Sequence, residues 1–171
     1  MSIRTAEELK HAQNLATTAQ TLAIIAMVTL IVAIVARGGT VIAGNLFSSE
    51  TTWRDGIQNI GLVLIELLPA FLFIEAINHL RRALTKFGSG EFFRSDVSQH
   101  VAEAGSFAIY AMLALMVITP NLTLWVSHQG GFDVRIEPEY IGMLAFAVFV
   151  CAVGKILSAA TDIKSENDAF V

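Results

Sequence analysis

The chain is poor in charge, in cysteine and in catalytic motifs, and each shortage narrows what it can be. Only 15% of its 171 residues are charged while 54% are hydrophobic, a balance that excludes an ordinary soluble domain and fits a polytopic membrane protein. The formal net charge of −4 gives no global attraction for nucleic acid, so none is expected as a direct partner. The single cysteine, Cys151, sits inside an apolar run, which leaves no disulfide framework and no thiolate metal cluster. A glycine-rich phosphate loop, a workable Ser/His/Asp grouping and a pair of carboxylates at one depth are all missing from the sequence. No enzymatic activity and no cofactor are therefore expected.

What the chain does have is apolar length. Thr5-Ala6-Glu7-Glu8 fits a capping box, in which a threonine and a glutamate three residues on satisfy each other's backbone amides, and no breaker follows until Gly38-Gly39. Glu7 and Glu8 stand where a signal peptide would be basic, so the first run is expected to be a retained span. Spans are expected at 15–36, 57–77, 105–126 and 140–160, each near the ~20 residues that cross ~30 Å of hydrocarbon. The loops between them are too short for a second core, so residues 1–171 form one four-span domain.

An even number of spans puts both termini on one side. With them go Arg4, Lys10, Arg81, Arg82, Lys86, Arg94, Lys155 and Lys164, eight of the 11 basic residues, against Arg37, Arg54 and Arg135 on the other side. That excess places the termini and loop 80–96 in the cytoplasm. The loop turns on Gly88 and Gly90 and offers Ser95 as an N-cap before Asp96. Both of its flanking helices, like the first and the last, are expected to overshoot the bilayer. The expected fold is thus an all-α, four-transmembrane-helix bundle with helices extending past the membrane on the cytoplasmic side. On the outer side, 40–43 and the alternating stretch 132–136 suggest a small β ribbon, with Trp53, Trp125 and Tyr140 at the interface.

Polar groups inside such spans are costly and mark candidate sites. Glu66 falls near the middle of the second span, and Pro69 beside it cannot donate to the carbonyl of Ile65. When the spans are aligned by their centres, Thr29, Ala114, Leu115 and Cys151 share its depth and no cation does. A carboxyl so placed is expected to be neutral and hydrogen-bonded, since burial disfavours its charged form. Glu75, His79, Glu103 and Lys155 gather at the inner interface, where a Lys–Glu pair would fix helix register. His11, His79 and His100 share that side, with Glu75/His79 and Asp96/His100 at i,i+4 spacing, while His128 lies outside. None stands in a tight ligand motif, so no metal site is expected. Small residues recur at four-residue spacing (Ala12/Ala16, Ala19/Ala23, Ala104/Ala108, Gly154/Ser158), which suits close helix packing within the bundle or between copies.

Two short segments carry a resemblance. Gly90-Glu91-Phe92-Phe93 leads into a span, and Ala160, Ile163, Glu166, Asn167 and Asp168 follow a terminal Ala-x-x-Leu-x-x-Glu-Asn-Asp pattern. In these the chain resembles a family of uncharacterised bacterial four-span membrane proteins, although it ends in Ala169-Phe170-Val171 where the family has Leu-Thr and a β-branched residue. The resemblance implies a bacterial inner-membrane protein, from a family often encoded beside a small helix-turn-helix regulator. It supplies no catalytic residue.

Two functions remain in view. One is a non-enzymatic regulatory or partner-binding protein whose cytoplasmic face presents Arg81, Arg82, Lys86, Glu91, Phe92, Phe93, Arg94, Glu166 and Asp168, with a cytoplasmic protein such as that regulator as partner. The other is a small proton-linked transporter or channel subunit using Glu66, for which a four-span chain would have to form homo-oligomers.

Overall fold

The structure, a computed structural model, describes residues 3–47, 53–90 and 95–169, with side chains for 7–44, 53–90, 95–163 and 166. Five α-helices account for nearly all of it. They are α1 (Ile3–Phe47), α2 (Trp53–Gly88), α3 (Ser95–Leu113), α4 (Thr119–Val126) and α5 (Pro138–Ala169), and a π-helical turn, Ala114–Ile118, welds α3 to α4. Four helical rods, counting α3 to α4 as one, are long and apolar enough to cross a membrane. All of them run past the expected spans at the end that carries the termini.

Gly38-Gly39 does not end α1, which continues to Phe47. Each glycine costs a helix about 1 kcal/mol relative to alanine, but apolar sequence on both sides leaves the backbone no better place for its hydrogen bonds. Residues 40–43 are therefore helical, and Thr40 Oγ1 donates to Arg37 O over 2.9 Å. The described residues contain no β-strand, and 132–136, which is irregular, pairs with helical residues through Asp133 and Arg135.

Both helix-interior prolines are accommodated by donors from elsewhere in the fold. Pro69 lies within α2, and the Ile65 carbonyl that it cannot serve is 3.4 Å from Thr119 Oγ1 of α4. Pro120 follows the π turn, and the carbonyl of Met116, four residues before it, accepts from the backbone amide of Arg135 at 2.9 Å. Asn121 completes this join. Its side-chain amide donates to the carbonyls of Val117 and Asp133 (both 2.6 Å), and its oxygen accepts from the Asp133 amide at 3.1 Å. The segment after α4 is thereby turned back along the helix. α4 itself stops in a pair of bonds, His128 N to Trp125 O and Gln129 N to Leu124 O, with His128 in the left-handed region at φ 54°, the pattern of a Schellman cap.

The helices form an open bundle in chain order, α1 on α2, α2 on the α3–α4 rod, and α3 on α5. The α3–α5 contact is the closest. A Cβ at Gly105 would overlap the backbone of Cys151, and one at Gly154 would overlap that of Ala102. Ala16, Ala23 and Ala104 are likewise buried, so one member of each small-residue pair packs inside the chain, while Ala12 is exposed.

These contacts set a register that differs from the one obtained by centring the spans. Gly105 opposite Cys151 and Ala102 opposite Gly154 bring the start of α5 level with the π turn, about 12 Å short of the end of α4 at 1.5 Å per residue. Tyr140 therefore lies well below Trp53 and Trp125, which are exposed at the outer ends of α2 and α4.

Gly154→Val is expected to force α5 away from α3 and to destabilise the fold by about 3 kcal/mol, whereas Gly142→Ala, with open space around it, should change little. Thermal unfolding of both variants in detergent checks this, and equal stability of the two would overturn the close-contact account.

Candidate functional site

Two polar sites lie about 20 Å apart along α2 at 1.5 Å per residue. The outer one, farther from the helix ends that carry the termini, is built on Glu66. Because α1 continues through its glycines, Arg37 comes alongside α2, and its Nη2 lies 2.5 Å from Glu66 Oε2. The expectation of a carboxyl without a cation is thus corrected. The charge on α1 that had been assigned to an outer loop is in the helix, at the level of Glu66. Thr29, expected as a contact, is about two turns away and donates to its own helix at Ile25 O. Cys151, level with Gly105 on α3, faces Ser106 at 3.5 Å, about 20 Å along the bundle from Glu66 at 1.5 Å per residue.

The pair is open to its surroundings, with side-chain exposures of 63% for Arg37 and 41% for Glu66. It lines a notch of about 340 Å³ together with Leu67, Leu115, Thr119 and Arg135. The notch thus holds two guanidinium groups and one carboxylate, and Asp133, 3.8 Å from Arg135, stands beside it. Such an arrangement can hold a small polar solute or simply neutralise itself. The signal for it in the sequence was Arg37 and Arg135, each within a few residues of a span boundary.

The inner site joins α2 to α3. His79 Nδ1 is 2.7 Å from Glu103 Oε2 and 3.3 Å from His100 Nδ1, which is in turn 3.6 Å from the same carboxylate oxygen. Gln99 Nε2 holds the other oxygen of Glu103 at 2.8 Å. Phe107 stacks on the His79 ring, centroids 5.4 Å apart and planes 18° from parallel. The group is half-buried, with side-chain exposures of 15%, 21% and 35% for His79, His100 and Glu103. Of the expected charge cluster, His79 and Glu103 meet. Glu75 and Lys155 are exposed, and no ion pair joins them. The partner that replaces them is His100.

Beyond this site the helices stay together. Ala83, Val97 and Val101 form a small core, with Phe87 and Val150 packed against it. Lys86 pairs with Asp96 across the turn, a carboxylate at the start of α3 that also complements the helix dipole. Arg81 donates to Asn78 Oδ1 at 3.3 Å, while its buried Nε has no acceptor. Arg82 and Glu166 are exposed. Glu91, Phe92, Phe93 and Arg94, and the side chain of Asp168, lie outside the described residues. His11 is exposed on α1 and takes no part in the inner site.

Comparison of the chain with protein-family models, curated proteins and solved structures finds no match. The sites therefore have to be interpreted from their own chemistry.

Arg37 and Glu66 should couple by about 1 kcal/mol, the range of partly exposed ion pairs and of polar contacts between membrane helices. A double-mutant cycle of Arg37→Ala and Glu66→Ala, read by unfolding in detergent, measures it. Strict additivity would show that the two charges only happen to be neighbours.

Proposed function

We propose that this is a non-enzymatic, multi-pass protein of the bacterial inner membrane, with both termini in the cytoplasm, that acts by binding a protein partner at that end. The observation that carries this reading is the packed extension of α2 and α3. Past their apolar runs these helices keep a core of Ala83, Val97 and Val101 and the Lys86–Asp96 pair. A bare connection between two spans would not require either. The extension is instead a platform that presents charge, with Arg82 exposed on α2 and Glu166 exposed on the same end of α5, and the excess of Lys and Arg on this side supports its cytoplasmic placement. A small helix-turn-helix regulator is the partner class that the family resemblance suggests.

Photo-crosslinking residues at positions 82 and 166, in intact membranes, should capture a cytoplasmic protein that the same residue at position 53 does not. Recovery of no partner, or equal capture from position 53, would overturn the proposal.

A second function has its own support in the open notch around Glu66, Arg37 and Arg135. As a subunit of a proton-linked transporter or channel, an oligomer of this chain would conduct in proteoliposomes, and Glu66→Gln would abolish the flux. Absence of flux across a substrate panel, from monomers and oligomers alike, would remove this reading. Under the partner-binding function, Glu66→Gln is tolerated.

A further inference from the structure

We propose that His79, His100 and Glu103 form a binding site for one divalent transition-metal ion of the zinc class. The site draws one ligand from α2 and two from α3, and it depends only on those helices. The proposal therefore stands or falls separately from partner binding and from transport.

The first support is geometric. Nδ1 of His79, Nδ1 of His100 and Oε2 of Glu103 form a triangle with edges of 3.3, 2.7 and 3.6 Å. Donor atoms bound to a tetrahedral zinc ion at about 2.0–2.1 Å stand about 3.3 Å apart. The observed edges bracket that value, so an ion can be seated by small side-chain adjustments without moving either helix. All three donors fall within 4.8 Å of one another.

The second is a shortage of protons. Three lone-pair-bearing atoms converge, and a neutral imidazole carries one N–H and one acceptor. If His79 Nδ1–H donates a hydrogen bond to Glu103 at 2.7 Å, His100 Nδ1 is left 3.3 Å from a nitrogen already engaged and 3.6 Å from the carboxylate. That last separation is too long for a good hydrogen bond. A cation at the centre satisfies all three donors together.

The surroundings are those of an oriented ligand set. Gln99 holds the non-ligating oxygen of Glu103, as outer partners of metal carboxylates do. Phe107 packs flat on His79 and fixes its ring. His100 and Glu103 are three residues apart on one helix face, and an i,i+3 His/carboxylate pair joined by a ligand from a facing helix is a recurrent way for helical bundles to build metal centres. Imidazole nitrogens with a carboxylate oxygen suit Zn²⁺, and Co²⁺ binds such sites with the same geometry. Three protein ligands leave a fourth position for water or an incoming group. Once bound, the ion ties α2 to α3 just before the cytoplasmic platform.

The test uses full-length protein purified in detergent, stripped with a chelator and titrated with Zn²⁺ or Co²⁺. One ion per chain is expected, with a rise in Tm on Zn²⁺ addition and the visible absorption of tetrahedral Co²⁺. His79→Ala and His100→Ala should each weaken Zn²⁺ binding by about a hundred-fold, and Gln99→Ala by about ten-fold. His11→Ala and His128→Ala should leave it unchanged. Because replacing a packed histidine can unsettle the fold, the unmodified protein is read as well, by X-ray absorption at the zinc edge, where imidazole nitrogen and carboxylate oxygen are expected. Substoichiometric binding, a sulfur ligand in the spectrum, or affinity that survives the double variant of His79 and His100 would each overturn the proposal.

Discussion

A carbonyl freed by proline inside an apolar helix must find a donor, because at membrane depth there is no water to supply one. Most of the architecture follows from how two such carbonyls are met. Ile65, released by Pro69, faces the hydroxyl of Thr119 on α4 across a long 3.4 Å contact. Met116, released by Pro120 after a π turn, takes the amide of Arg135, which folds the segment after α4 back along the rod. That return starts α5 short of the outer end. It also carries Arg135 to the level of Glu66 and Arg37, so the outer notch is a consequence of backbone accounting as much as of charge.

α2 contributes to both polar sites, with α1 against one of its sides and the α3–α4 rod, followed by α5, against the other. The outward faces of α1 and α5 are apolar along most of their length: Leu22, Val32 and Val35 on α1 and Phe146, Phe149 and Ile156 on α5 are exposed, as lipid-facing side chains are. His79 meets Glu103 and His100 where α2 and α3 leave that apolar zone, and Arg37 meets Glu66 within the apolar run of α2, beside Arg135 of the returning segment. Each arrangement joins side chains of neighbouring helices.

Four apolar helices that overshoot at the terminal end, the acceptor freed by Pro69, and Gly154 as a small packing residue were legible in the sequence, because each depends on chain-local chemistry, whereas Gly105 fell in none of the small-residue spacings. Hydropathy counts residues along one helix, and proline removes a donor wherever it stands. The partners of Glu66, His79 and Glu103 were legible only in part. His100 and Glu103 share a helix face by spacing alone, yet nothing in the spacing said that His79 would face them. Centring each apolar run at a common midplane assigned Thr29 and Cys151 to Glu66 and hid Arg37.

What the sequence determined by itself was the inventory: how many spans, how long, and which few polar groups they carry. The tertiary structure decided the vertical register between them. Apolar helices can slide past one another with little change in hydrophobic burial, so register is chosen by sparse, short-range contacts such as Gly105 on Cys151, Gly154 on Ala102, and the donors that answer two prolines. Those contacts join residues far apart in the chain, and no periodicity in a single helix can encode them.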